Sequence, residues 1–327
     1  MKIGIIKLGA LGDVVRTLCV LPAIKEKFPN SEITWITKEN AKELFEGNDS
    51  VNRVLTIPLE ENFLHFDILY NFDVEEEAIK LANNITAKEK FGFYSEEGFV
   101  KAFNESGEYY LNTMFDDELK KNNPKTYQEM IFGVAELEWK KQRSEIFLNE
   151  AEKNYARDFV EKNSLRGKKI FGIHMGASSR WPSKVWHKDN LKDFIKKIKI
   201  MGFEVILFAG PNEIEEHKNL ICDLNKKGIN VFSNNPHNSL KEFCSLVNIC
   251  DKILCGDSFA LHIALAFRKP LIGLFFCTSP WEVEDYGLLK KVVSKKLFEI
   301  FPEKSDLYFE EIVKSISAEE VLKNLSE

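Results

Sequence analysis

The amino-acid sequence predicts an α/β protein made of two Rossmann-like βαβ domains in tandem. Its 327 residues match two domains of roughly 100–200 residues each. Short apolar runs alternate with helical patterns along the chain, an order that indicates parallel sheets. In each half a strand ends in a glycine turn, at residues 7–13 and at residues 174–179. We therefore predict an N-terminal domain over residues 1–160 and a C-terminal domain over residues 161–327, facing each other across a central cleft.

The first half alternates strand and helix patterns. Apolar Ile3–Ile6 predicts a strand, and apolar residues at helical spacing predict a helix from Val14 to Phe28, which Pro29 ends. The other elements predicted there are strands at Glu32–Thr37, Arg53–Ile57 and Phe66–Tyr70 and helices at Ala41–Glu46 and Thr126–Leu137. Residues 94–127 show no clear period, so we expect a surface insertion there rather than core.

The second half repeats the order. Lys169–His174 predicts a strand, and Ser317 with Glu320 forms a capping-box pattern that predicts a terminal helix. The other predicted elements are helices at Glu150–Lys162, Asp189–Met201, Asn212–Asn225, Leu240–Asn248 and Ala260–Phe267 and strands at Glu204–Ala209, Ile229–Phe232, Lys252–Cys255 and Pro270–Phe275.

The composition excludes several classes of protein. No run of about 18 apolar residues is without charge, so no segment is predicted to span a bilayer. Lys7, Asp13 and Arg16 interrupt the first apolar stretch, which favours a mature cytoplasmic N-terminus over a signal peptide. The six cysteines form no C-x-x-C pair, and several lie among apolar residues, which indicates buried free thiols in a reducing compartment.

Charge is distributed unevenly between the halves. Residues 1–160 carry 20 Lys and Arg against 29 Asp and Glu, whereas residues 161–327 carry 25 against 22. A nucleic-acid-binding protein needs a concentrated basic face, and the net charge of −6 argues against one. The mildly basic second half is compatible with a small anionic ligand.

The first candidate site is the turn after the first strand. Ligands of open α/β sheets collect beyond the carboxyl ends of the strands, and Gly9 and Gly12 allow close approach of the backbone. The spacing is not G-x-G-x-x-G, so the dinucleotide-binding fingerprint is absent. Asp13 has two interpretations, an N-cap on the following helix or a catalytic carboxylate, and its spacing alone favours the cap.

The second candidate site is the segment HMGASSRWPSKVW, residues 174–186. A glycine turn followed by Arg180 and Lys184 can hold a phosphate with backbone N–H groups and positive side chains. An ordinary loop with two exposed cations explains the segment equally well when it is taken alone.

The third candidate site is GDSFALH, residues 256–262. Asp257 and Ser258 begin a helix, where backbone N–H groups favour an anion, and His262 lies four residues after Ser258. A capped, buried helix with a satisfied histidine is the stronger interpretation of this segment alone. Three candidate sites at strand ends together favour a shared ligand site.

The ordered combination of these segments resembles glycosyltransferase family 9, the family of the ADP-heptose:lipopolysaccharide heptosyltransferases. The resemblance covers nearly the whole chain and rests on KLGALGDVVRTLCVLPAIKEKFPNSEITWIT, GASSRWPSKVWHKDNLKDF and CGDSFALHIALAFRKPLIGLFFCTSPWEVEDYG. It implies a GT-B fold and inverting, metal-independent transfer of a sugar to a glycan hydroxyl. The favoured donor is ADP-heptose, and the favoured process is synthesis of a lipopolysaccharide core or a related surface glycan.

The resemblance also implies roles for individual residues. Asp13 matches the catalytic Asp of the L-G-D motif, which deprotonates the acceptor hydroxyl, and this match favours catalysis over the cap alone. Lys184 matches the Lys of the S-K-x-W segment, which contacts the donor diphosphate. Asp257, Ser258 and His262 match the D-[ST]-G-x-x-H donor motif.

Four further residues complete the expected donor site, and two glycines lie near the reaction centre. The donor-site residues are Gly176, Ser178, Gly210 and Phe259, and the loop glycines are Gly9 and Gly12.

Three positions depart from the family pattern. Phe259 replaces the glycine of the last motif, Met175 stands where Pro is usual, and Phe276-Cys277 stands where Gly-Pro is common. A side chain at position 259 is expected to crowd the donor, which predicts a different donor sugar, a shifted pose or a weakened enzyme. Two alternatives therefore stay open: a GT-B transferase or epimerase using another nucleotide sugar, and a non-catalytic nucleotide-sugar binding protein.

The expected partners are a nucleotide-diphosphate sugar and a glycan or glycolipid acceptor bound by the first domain. Lys90, Lys101, Tyr109 and Tyr110 are candidate acceptor contacts, although a solvated surface is the stronger interpretation there. No cofactor or metal is expected, because the chain contains no D-x-D sequence that would hold a metal on the diphosphate. With a lipid-linked acceptor, the protein would work at the inner face of the cytoplasmic membrane without entering it.

Overall fold

The computed structural model describes residues 1–59, 64–176 and 180–325. The chain divides into two compact units, Met1–Phe147 with Trp281–Glu284, and Leu148–Pro280 with Asp285–Glu327. The sequence placed the boundary near residue 160. The structure places it before the helix Glu150–Lys162, because that helix packs against the helix Leu240–Asn248 of the second unit.

The first unit contains a six-stranded sheet with the order β3-β2-β1-β4-β5-β6. All neighbouring strands are parallel except β6, which is antiparallel to β5. The strands are β1 (Lys2–Ile6), β2 (Glu32–Lys38), β3 (Arg53–Ile57), β4 (His65–Asn71), β5 (Thr86–Glu96) and β6 (Phe99–Ala102). The helices are α1 (Leu11–Thr17), α2 (Val20–Lys27), α3 (Glu76–Asn84), α4 (Glu105–Phe115), α5 (Asp117–Asn122) and α6 (Tyr127–Val134), and Glu39–Phe45 forms a 3₁₀ helix.

The second unit contains a parallel sheet with the order β12-β11-β10-β7-β8-β9. Its strands are β7 (Lys169–His174), β8 (Phe203–Phe208), β9 (Phe232–Ser233), β10 (Lys252–Gly256), β11 (Leu271–Phe275) and β12 (Leu289–Val293). Its helices are α7 (Glu150–Lys162), α8 (Lys188–Ile200), α9 (Ile214–Lys226), α10 (Leu240–Asn248), α11 (Phe259–Ala266), α12 (Glu310–Val313) and α13 (Ala318–Lys323). Counted from the first strand of each unit, both sheets have the Rossmann order 3-2-1-4-5-6. This order agrees with the Rossmann-like domains that the sequence predicts.

The helix predicted over Val14–Phe28 is two helices, α1 and α2. Pro22 is the physical reason, because it lacks the N–H that would bond the carbonyl of Leu18 in a continuous helix. The N–H of Leu21 instead reaches that carbonyl by a tighter, 3₁₀-type bond of 3.1 Å. The chain therefore turns at residues 18–19.

The prediction of a surface insertion over residues 94–127 is wrong. This segment completes β5 and forms β6, α4 and α5, and Tyr110 and Leu111 of α4 are buried. Asn104 caps α4 by accepting a bond from the N–H of Gly107, and Tyr110 packs on Phe93 of β5. β6 and α5 have only four and six residues, which is too few for a clear apolar period.

The central strands are buried along almost their whole length, as is usual for parallel sheets covered on both faces. No helix among residues 1–59, 64–176 and 180–325 is long and apolar enough to cross a membrane. All six cysteines are free thiols and five are buried, as predicted, whereas Cys222 is exposed.

Candidate functional site

A buried ion pair fixes the turn after β1. Lys7 Nζ lies 3.4 Å from Asp73 Oδ2 and donates a hydrogen bond of 3.0 Å to the carbonyl of Phe72. Asp73 follows β4, the neighbour of β1, so both side chains lie at the same edge of the sheet. Asp73 Oδ2 also accepts the backbone N–H groups of Leu8 at 2.9 Å and Gly9 at 2.7 Å. The carboxylate thereby holds the start of the loop that leads to α1.

The ammonium group of Lys7 is charged although it is buried. Burial alone would lower its pKa, but the negative charges of Asp73 and Asp13 more than offset burial, and the pKa of Lys7 lies above its ordinary value. Gly9 lets the backbone pass close to this carboxylate, because a Cβ atom there would lie 3.3 Å from Asp73 Oδ2, a tighter contact than most Cβ atoms make.

Asp73→Ala is expected to lower the free energy of unfolding by about 3 kcal/mol, because it leaves the Lys7 charge buried without its carboxylate. The change is measured by denaturant unfolding. The control is Glu75→Ala, which removes an exposed ion pair with Lys38 and is expected to cost under about 1 kcal/mol. Equal losses in the two variants would contradict a special role for the buried pair.

Asp13 lies in the first turn of α1 and is not its N-cap, so the cap interpretation is wrong. The helix begins at Leu11, because the carbonyl of Ala10 accepts the N–H groups of Asp13 at 2.8 Å and Val14 at 3.0 Å. Gly12 therefore also lies within the helix. The Asp13 side chain is 34 % exposed, and its Oδ1 lies 2.7 Å from Nη2 of Arg16, one turn later.

In the second unit, the structure brings Lys184 and Asp257 together. Lys184 Nζ donates to the carbonyl of Asp257 at 2.8 Å and to its Oδ2 at 3.0 Å, and both side chains are under 20 % exposed. Gly256 makes this approach feasible, because a Cβ atom there would lie 3.0 Å from the carbonyl oxygen of Lys184. The loop after β7 therefore meets the turn between β10 and α11.

Ser258 occupies the N-cap of α11 with an extended backbone, but its hydroxyl makes no bond to the backbone of that helix. Its Oγ lies instead 3.4 Å from Nδ1 of His174, the last residue of β7. His262, which the sequence associates with Ser258, is buried within α11. His174 begins the second candidate segment, but no role of its own was predicted for it; its position at the end of a strand next to β10 was the available signal.

His174 is held neutral. Burial, with a smaller contribution from the neighbouring His217, lowers its pKa to about 4. The unfolded chain binds a proton near pH 6.5, whereas the folded protein does so only near pH 4. Protons therefore favour the unfolded state as the pH falls between these values.

This shift predicts a loss of about 2–3 kcal/mol of stability between pH 6.5 and pH 4. His174→Gln is expected to reduce that loss, because glutamine does not titrate. Thermal melting between pH 7 and pH 4 measures the slope, and His65→Gln, at an exposed histidine, is the control. An unchanged slope in the His174 variant would contradict the assignment.

Gly176 and Gly210 are brought together by Glu213. Glu213 Oε2 accepts the N–H of Gly210 at 2.7 Å, and a Cβ atom on Gly176 would lie 3.0 Å from its carboxylate. Glu213 was not among the predicted site residues, although it stands three residues after a strand-end glycine, at a capping position. Gly176 and Glu213 also line a cavity of about 940 Å³ that extends between α8 and α9.

The Phe259 side chain packs against other aromatic side chains of the second unit. Its ring stacks on Phe243 of α10, with centroids 5.6 Å apart and an angle of 30°. Phe243 also contacts Phe208 and His174 at the ends of β8 and β7. The side chain that replaces the family glycine thus belongs to an aromatic cluster beside Ser258.

Arg180 and Ser178 are the other residues that the sequence predicts near the phosphate. Arg180 is exposed and lies over the ring of Trp181, with its Cζ 5.0 Å from the ring centroid. Ser178 lies outside the described residues. Within residues 1–59, 64–176 and 180–325, no group of three or more His, Cys, Asp or Glu side chains could hold a metal ion.

A family profile and a curated relative that match this chain are both described as heptosyltransferases. The profile of glycosyltransferase family 9 (heptosyltransferase) matches residues 88–306. Lipopolysaccharide heptosyltransferase 1 of Campylobacter coli is 24% identical, and the match covers 100% of this chain and 98% of that protein.

Two solved structures have the same fold. The glycosyl transferase family 9 protein of Veillonella parvula has a TM-score of 0.79 at 17% identity, covering 99% of this chain and 96% of that one. The E. coli ADP-heptose LPS heptosyltransferase II has a TM-score of 0.73 at 15% identity, covering 100% and 98%. These likenesses confirm the predicted GT-B fold.

Proposed function

Since the chain belongs to glycosyltransferase family 9, the heptosyltransferase family, we propose that it transfers a heptosyl residue from ADP-heptose to a hydroxyl of a lipopolysaccharide-type core glycan. The observation that carries the proposal is the Lys184–Asp257 pair beside Ser258 at the strand ends of the second unit. The names of its relatives support the donor and the acceptor class.

Lys184 is the proposed contact to the donor diphosphate. An ammonium group has three N–H donors, and Asp257 orients the group by accepting from it through both its carbonyl and its carboxylate. A phosphate oxygen is the proposed additional acceptor. The first N–H groups of α11, beyond Ser258, add a favourable dipole for the same anion. Asp257 is thus a positioning residue for Lys184 in this proposal.

The remaining predicted donor-site residues keep their places in the proposal. Gly176 and Gly210 are proposed to leave room for the nucleotide at the ends of β7 and β8, and Gly176 lines the 940 Å³ cavity. Ser178, Phe259 and His262 are the other proposed donor-site residues.

The proposed reaction is a single displacement. The acceptor hydroxyl oxygen forms a bond to the anomeric carbon while the bond from that carbon to the phosphate oxygen breaks. The bonding electron pair leaves with ADP, and the carboxylate of Asp13, in the first turn of α1 beside Gly12 and after the loop residue Gly9, takes the hydroxyl proton. Attack from the side opposite the phosphate inverts the anomeric configuration.

Negative charge develops on the leaving diphosphate during this step. The proposal assigns its stabilisation to Lys184 and the backbone N–H groups at the start of α11. We therefore expect the rate to be unchanged by EDTA. With a lipid-linked acceptor, the proposal places the enzyme in the cytoplasm at the inner membrane face.

The test is incubation of the purified protein with ADP-heptose and a heptose-free core glycolipid. Mass spectrometry is expected to show addition of one heptosyl residue to the glycolipid, with release of ADP. Release of ADP without a glycoside product, or no reaction with ADP-heptose, would contradict the proposal.

Phe259 favours a second candidate, transfer from a different nucleotide sugar. Its ring occupies the position where the family has glycine, next to the proposed phosphate site. The same assay with ADP-, UDP- and GDP-hexoses separates the two candidates. Transfer from one of these, without transfer from ADP-heptose, would favour the second.

A further inference from the structure

We propose that Arg16 is a positioning residue for Asp13 and that the ring of Tyr127 holds Arg16 in place. The inference rests on the proposed function, because it takes Asp13 as the base. Four residues of the first unit, Asp13, Arg16, Thr17 and Tyr127, form a closed ring of contacts, which we call the Asp13 brace.

The first contact of the brace is the ion pair. Arg16 Nη2 lies 2.7 Å from Asp13 Oδ1, and the Arg16 side chain is only 18 % exposed. Most ion pairs between residues one helical turn apart are solvated and contribute little. This one is shielded, so both side chains are expected to keep one conformation.

The second contact explains the shielding. The guanidinium carbon of Arg16 lies 3.7 Å from the centroid of the Tyr127 ring, a close cation–π distance. Arginine suits this place because its planar group can stack on a ring while its N–H groups bond a carboxylate, whereas the compact ammonium of lysine has no planar face to stack.

Tyr127 is itself fixed from several sides. It is the first residue of α6, after the capping box of Thr126 and Glu129, and its N–H donates to the carbonyl of Glu282 at 2.8 Å. Its hydroxyl lies 2.6 Å from Thr17 Oγ1, and Thr17 donates to the carbonyl of Asp13 at 2.6 Å. The contacts of the brace therefore lead from Asp13 through Arg16, Tyr127 and Thr17 back to Asp13.

The charges around Asp13 are consistent with this role. Burial raises the pKa of both Tyr110 and Tyr127, so neither ring carries a charge at neutral pH. Lys7 is the second cation that acts on Asp13, and Asp73 neutralises part of its effect. Arg16 is the cation that the structure places in direct contact with the carboxylate. Its expected function is to fix the direction in which the carboxylate meets the acceptor hydroxyl.

The test begins with Arg16→Gln and Arg16→Lys in the transfer assay. We expect kcat to fall about 100-fold in the first and about 10-fold in the second, because a misplaced catalytic group costs up to about 10²-fold. The affinity for ADP, measured by calorimetry, is expected to stay unchanged. A loss of ADP affinity equal to the loss of kcat would overturn the proposal.

A double variant separates positioning from an independent role. In an Asp13→Asn background, Arg16→Gln is expected to change kcat by less than about threefold, because coupled residues are not additive. Full additivity of the two losses would show that Arg16 acts without Asp13 and would overturn the proposal.

Two further variants guard against misfolding. Tyr127→Leu keeps the ion pair but removes the ring, and we expect an approximately tenfold lower kcat; an unchanged kcat in a folded Tyr127→Leu protein overturns the proposal. Arg157→Gln, at an exposed helical pair with Glu150, is the matched control.

If Arg16→Gln retains the same kcat as this control in an active enzyme, the role of Arg16 is disproved and the proposed function stands. If the unaltered protein transfers no heptose, the proposed function fails.

Discussion

Asp13→Asn is expected to lower kcat for heptosyl transfer by about 10³–10⁴-fold, the effect of removing a general base. Asparagine has the shape of aspartate but cannot take the acceptor proton. The donor residues lie in the second unit, so ADP affinity is expected to stay within about twofold of the starting protein. Initial rates at saturating substrates and calorimetry with ADP measure the two quantities.

The control for this variant is Asp49→Asn, an exposed aspartate of the same unit. It is expected to leave both rate and affinity unchanged. A kcat of Asp13→Asn within tenfold of the control would rule out Asp13 as the base. A loss of ADP affinity in Asp13→Asn would place this residue in the donor site instead.

Lys184→Ala is expected to weaken ADP binding about 100-fold, because a charge-assisted bond to phosphate contributes roughly 2–3 kcal/mol and 1.4 kcal/mol is tenfold. It also leaves Asp257 without its cation. Calorimetric titration with ADP measures the loss. A higher salt concentration is expected to reduce the difference in ADP affinity between the unaltered protein and Lys184→Ala, because dissolved salt ions screen the attraction between Lys184 and the phosphate.

The matched control is Lys196→Ala, at an exposed lysine of α8. ADP affinity is expected to be unaffected there. If the two lysine variants bind ADP equally well, the proposed diphosphate contact is wrong, and the family match would have to be reconciled with another phosphate site.

The fold was predictable because each central strand is a short apolar run with a turn after it. Strands such as Arg53–Ile57 and Lys169–His174 have the predicted bounds. The error over residues 94–127 has a physical cause: α4 buries Gly107 and Thr113 beside Tyr110 and Leu111, so its sequence shows no clear apolar stripe. The break between α1 and α2 at residues 18–19 had a signal in Pro22, which lacks a backbone N–H, but the prediction followed the apolar spacing instead.

The candidate site was predictable where the contacts lie within a motif. The sequence suggested Lys184, Asp257 and Ser258, and the structure brings the first two into contact. Contacts between the ends of different strands could not be predicted. His174 and Asp73 contact residues from other strands of their sheets, and a sequence does not give the register of a sheet.

The stereochemistry of the new glycosidic bond shows whether transfer proceeds by the single displacement proposed for Asp13. Proton NMR of the product from ADP-heptose compares its anomeric configuration with that of the donor. Inversion is predicted, because a single displacement assisted by Asp13 inverts the configuration at the anomeric carbon once. Retention would contradict the account, since it requires a second displacement that the Asp13 and Lys184 assignments do not provide.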